Sequence, residues 1–120
     1  MNIYIICPVR NATKEQKEAL KEYKKKLITD GHVPYYPDDD NPHEHTDDVG
    51  NLICDENRRA IAEADEIHIY WDALSAGTLF DLGIAYALGK RLVIVNDADV
   101  ILTKKKSFSN MITHWSKKGA

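Results

Sequence analysis

The sequence predicts an α/β fold built on a parallel sheet. Short β-branched and aromatic runs alternate with longer segments of helical spacing along the whole chain. The first and last of these runs, Ile3 to Cys7 and RLVIV from Arg91, have the composition of strands buried on both faces. Alternation through four strands then implies right-handed crossovers, hence parallel neighbours with helices over the sheet.

Each element has its own signal. The first strand stops at Pro8. The segment TKEQ that follows reads as a capping box, with Thr13 as cap and Gln16 reaching back, before Ala19, Leu20, Tyr23 and Leu27 at helical spacing. Gly31 suits the end of that helix. HVPYY reads as a second strand, and Pro34 inside it argues for an edge position. PDDDNPHEHTDD, from Pro37 to Asp48, is polar, turn-rich and acidic, which predicts a mobile loop able to cover a site. In the next helix Val49, Ile53, Ile61 and Ala64 share one stripe with Asn57, an amide that needs a partner there. EIHIYW is strand-like, SAGTLFDLGIAYALGK helix-like, and RLVIV closes on the turn-prone NDAD. Ser107 to Trp115 predicts a last short helix. The result is a flavodoxin-like three-layer sandwich with a parallel sheet of four to five strands. Such sheets bind ligands outside the carboxyl ends of their strands, where CPVR, the acidic loop and WDALSAGT converge.

Length and composition fit one domain over residues 1–120, with 43% hydrophobic and 29% charged residues. A net charge of -3 gives no global attraction to nucleic acid or anionic membrane, so an anionic ligand has to be held locally. Cys7 and Cys54, both in apolar segments, read as reduced thiols. No apolar run reaches the roughly 18 residues that span a bilayer, and Met1 leads straight into a strand. A cytoplasmic protein is the expectation.

No GxGxxG follows the first strand and no GxxxxGK[ST] occurs. A different anion site is open: a helix starting near Gly77 and Thr78 presents free N–H groups, Ser75 adds a hydroxyl, and Arg10 reaches in from the neighbouring strand end. The plainer alternative is that Ser75 or Thr78 caps the helix and Arg10 pairs with a surface acid. Asp81 also has two readings. TLFD fits a capping box, which would tie Asp81 to its own helix start; the same helix start faces the ligand crevice, where an ionised carboxylate is a nucleophile for a sugar carbon. Asn57 is a buried amide or a ligand contact, and Asp72 a proton donor or a turn residue. Tyr4, Tyr70 and Trp71 are core aromatics or, at a strand end, platforms for a base. His43, Glu44 and His45 lack the HExxH spacing of a helical metal site, so neither metal nor cofactor is expected.

CPVR, NLICDENRRAIAEADEI and SAGTLFDLGIAYALGK together resemble the nucleoside 2-deoxyribosyltransferase superfamily, nearest its branch of 2'-deoxynucleoside 5'-phosphate N-hydrolases. The likeness runs from about Ile3 to Val95, the acidic loop excepted. It implies a homodimer or higher homo-oligomer acting on a nucleoside or nucleotide, with no nucleic acid polymer as partner. In that family a glutamate in a pattern like S-x-G-x-x-x-E-L-G attacks the anomeric carbon, the base leaves, and water or a second base resolves the intermediate. Asp81 matches the nucleophile, with Ser75, Gly77 and Thr78 at the helix start. Ser75 and Arg10 match the phosphate-using branch, Cys7, Pro8 and Trp71 fall on the substrate side, and Asn57 and Asp72 complete the catalytic candidates. Two positions differ: Asp81 is one methylene shorter than the glutamate, and Asn57 stands where the family commonly has an aspartate that assists protonation of the base. An amide is no general acid. A non-catalytic nucleotide sensor is therefore the second reading. An NAD-type glycohydrolase, the third, would need a larger pocket and a pyrophosphate contact.

Overall fold

The computed structural model describes residues 1–118. Strands β1 (Asn2–Ile6), β2 (Val33–Tyr35), β3 (Glu66–Ile69) and β4 (Arg91–Ile94) form one sheet in the order β2-β1-β3-β4, every pair parallel. The helices are α1 (Lys14–Thr29), α2 (Pro37–Asp40), α3 (Asn51–Glu63), α4 (Ala76–Ala87) and α5 (Phe108–Lys117). This is the flavodoxin-like architecture, with four strands.

Strand parity divides the core. Tyr4, Ile6, Ile67, Ile69 and Leu92 pack on one face against Ile61 of α3, Leu82 of α4, and Ile112 and Trp115 of α5. Ile3, Ile5 and Cys7 face the other way, onto Leu20 and Leu27 of α1. Three helices thus cover one face and α1 the other.

The local signals of the first half hold. Thr13 and Gln16 make the capping box, and Gly31 takes the left-handed conformation (φ 88°) just past α1. β2 lies at the sheet edge, as Pro34 requires. Two expectations change. The acidic segment is not simply an irregular loop, because Pro37 starts the short helix α2 and Asn41 then ties the chain to α3. Val49 is 86% exposed and precedes α3, whose cap is Gly50 at φ 97°.

From β1 the chain runs to β2 on one side, and from β3 to β4 on the other. The switch point therefore lies between β1 and β3, and the crevice opens above their carboxyl ends.

Candidate active site

A cavity of about 680 Å³ fills that crevice. Its walls come from the loop after β1 (Cys7 to Asn11), the start of α1, the turn carrying Glu44, the first half of α3, and the segment from Asp72 into α4.

Asp81 sits in the second turn of α4, four residues after Gly77, so both face the cavity. The capping-box reading of TLFD fails. The helix begins at Ala76 with Ser75 as its cap, the Ser75 Oγ accepting from the Thr78 N–H at 3.2 Å. Asp81 makes no bond to that helix start; its Oδ2 instead accepts the Tyr4 hydroxyl proton at 2.8 Å. Burial pushes the Asp81 carboxyl up to about 6, the Tyr4 hydrogen bond pulls the other way, and the charge of Glu44 adds to the rise. Tyr4 is fully buried, stacked on Tyr35 with ring centroids 5.4 Å apart, so the donor that aims Asp81 is rigid. Asp81 is thus a part-buried carboxylate with one fixed donor and a cavity beside it.

At the start of α4, Ser75 uses its oxygen as the cap acceptor, and its hydroxyl donates to no partner among the described residues. A Cβ on Gly77 would meet no atom within 4 Å, so the glycine leaves space where an anion would approach the helix N-terminus. Arg10 lines the same cavity and forms no ion pair among the described residues. Pro8 and Cys7 also line it, and burial raises the Cys7 thiol well above its ordinary value, which keeps it protonated.

Asp72 reaches the cavity with both carboxylate oxygens engaged. Oδ1 accepts from the Leu74 N–H at 2.9 Å and Oδ2 from Gln16 Nε2 at 3.3 Å. It is thus both the turn residue and a wall of the site. Asn57, 7% exposed, lines the cavity and accepts from Asn41 Nδ2 at 2.8 Å.

Two predicted contacts lie elsewhere. Trp71 does not line the cavity: strand parity puts it with Ile67 and Ile69 in the core under α5, its backbone N–H and carbonyl bracketed by Asn96 at 2.6 and 2.9 Å. The Thr78 side chain is fully buried inside α4, its Oγ1 without a partner and away from the cavity. Two residues of the site were missed. Glu44 brings a third carboxyl, beside Asp81 and Asp72, into the cavity, raised by burial and by Asp38, with His45 and Arg10 opposing. Asn41 is the partner that the amide on the α3 stripe called for.

Known proteins share the fold. The 2-deoxyribosyltransferase of the psychrotolerant bacterium Bacillus psychrosaccharolyticus superposes with a TM-score of 0.77 at 21% identity, over 96% of this chain and 82% of that one. The CMP N-glycosidase BcmB of Clostridium botulinum superposes with a TM-score of 0.61 at 16% identity, over 97% and 83%. Both share the fold. No curated sequence matches. The profile of the nucleoside 2-deoxyribosyltransferase family matches residues 3–113, nearly the whole chain, and the protein belongs to that family.

Proposed function

We propose that this protein breaks the N-glycosidic bond of a 2'-deoxyribonucleoside or its 5'-monophosphate, with Asp81 as nucleophile. One observation carries the reading: a part-buried carboxylate, held by Tyr4 at 2.8 Å, lines the cavity at the switch point and is not spent on capping its own helix. Asp81 Oδ bonds to C1', the C1'–N bond breaks, and its electron pair leaves with the base, which takes up a proton. Water or a second base then attacks C1' and releases Asp81, so the configuration is retained.

The family membership supports the substrate class, and Arg10, Ser75 and the α4 N-terminus support a 5'-phosphate. Among the described residues Arg10 is the cation lining the cavity, which suits one phosphate and argues against a pyrophosphate ligand. Asp72, already the acceptor of two hydrogen bonds, orients; Glu44 is the carboxyl suited to carry the leaving base's proton. Phe80 and Leu74, both exposed at the cavity rim, and Tyr86 further along α4 favour burial against a second copy, in line with a homo-oligomer.

Purified protein incubated with paired ribo- and deoxyribonucleosides and their monophosphates, followed by chromatography for free base or base exchange, tests the reading. Base release by wild type, lost in Asp81→Ala and faster for deoxyribose, is the expected result. Absence of any release, with nucleotides still raising the melting temperature, would replace the enzyme with a sensor of the same fold.

A further inference from the structure

Asparagine orientation in this site is decided by two backbone groups that cannot turn round. Asn41 Oδ1 accepts from the His43 N–H at 2.9 Å, which fixes its oxygen. Its Nδ2 donates to the Ile53 carbonyl at 3.1 Å, a group that can only accept. The second Nδ2 proton meets Asn57 at 2.8 Å, so Asn57 has to present Oδ1 there. Its own Nδ2 is left over. No acceptor among the described residues pairs with it, and the buried polar atoms without a partner are Tyr36 Oη and Thr78 Oγ1, so Asn57 Nδ2 is not sealed inside the protein. Asn57 lines the cavity, which is the open space beside its free N–H2. Both amides are nearly buried, at 4% and 7% exposure, which makes a flipped arrangement costly: turning Asn57 would face two N–H2 groups toward each other, and turning Asn41 would face two oxygens.

We propose that Asn41 is a positioning residue that locks the Asn57 carboxamide as a fixed hydrogen-bond donor toward the departing base. The inference rests on the N-glycosidase reading above and adds a role to it. As C1'–N cleaves, negative charge gathers on the base, and a preorganised donor in a part-buried site stabilises that charge without transferring a proton. The same lock holds the turn that carries Glu44, whose backbone N–H bonds to the Asn41 carbonyl at 3.2 Å. The amide and the carboxyl therefore divide the task of helping the base to leave.

The experiment compares wild type, Asn41→Asp, Asn57→Ala and the double variant on a natural 2'-deoxyribonucleotide and on 4-nitrophenyl 2-deoxyriboside, whose leaving group needs little help. Asn57→Ala removes the donor outright, while Asn41 keeps its bonds to the Ile53 carbonyl and the His43 N–H, and so the turn with Glu44. Asn41→Asp removes the donor that fixes the amide. Each is expected to lower kcat on the nucleotide by about 10- to 100-fold with KM held, to spare the nitrophenyl substrate, and to show no further loss in combination, since both remove one donor. Losses that multiply, or that fall equally on both substrates, overturn the proposal and leave the enzyme reading intact. An arm without turnover uses the side-chain amide resonances of Asp81→Ala protein, assigned by Asn57→Ala. A shift of the Asn57 pair on addition of nucleoside monophosphate, abolished by Asn41→Asp, supports the lock, and no shift refutes it. Wild type that cleaves neither substrate refutes the enzyme reading itself.

Discussion

Replacing Asp81 with asparagine should make the protein more stable and inactive at once. The side chain is mostly buried, and its carboxyl is raised from an ordinary 3.8 to about 6. At 1.36 kcal/mol per tenfold change in proton affinity, this amounts to about 3 kcal/mol of destabilisation when the group is ionised, an upper bound because one side meets cavity water. The folded chain holds the proton more tightly than the unfolded one. The cost is therefore absent below about pH 4, where both states are protonated, and grows as pH rises through about 6. Asparagine is neutral and can still accept the Tyr4 hydroxyl. Asp81→Asn is thus expected to gain about 1–3 kcal/mol at pH 7.5, a melting rise on the order of 10 °C at the upper end, and to gain little at pH 4. Urea unfolding at both pH values measures it. A variant less stable than wild type at pH 7.5 would refute the reasoning, because it would mean that the charge holds the fold together.

Three further outcomes follow from the same geometry. Tyr4→Phe removes a hydrogen bond of 2.8 Å to the ionised carboxylate, so the acid limb of kcat/KM should move upward by about one pH unit; an unmoved limb would sever Tyr4 from Asp81. Glu44→Gln removes a charge that raises Asp81, so that limb should move downward, and an unmoved limb counts against the coupling of the two carboxyls. Arg10→Gln should raise KM about 10- to 100-fold for a 5'-monophosphate and leave the nucleoside unchanged, whereas equal loss on both would place Arg10 outside phosphate binding.

Much of this architecture is legible in the chain because its signals are local. Thr13 with Gln16 caps α1, Pro34 marks the edge strand, and Gly31 ends the first helix, each within a few residues of the feature it dictates. The misreadings arise where two local signals compete or where parity decides. Ser75 and Thr78 both look like caps, and only one can start α4; Ser75 does, which frees Asp81 for the cavity. Trp71 shares the parity of Ile67 and Ile69, and that period alone would have sent it to the core. Asn57 announced a missing partner by standing on an apolar stripe. Its identity could not be read, because Asn41 lies 16 residues away across a turn that only the fold brings back. Glu44 entered the site for the same reason.

A slow substrate offers the most direct test of the nucleophile. A 2'-deoxy-2'-fluoro-arabinonucleoside, incubated with the protein and followed by intact mass and peptide mapping, should release one equivalent of base in a burst and leave the fluorosugar on Asp81. Base release without any adduct, or an adduct on another side chain, would contradict the account.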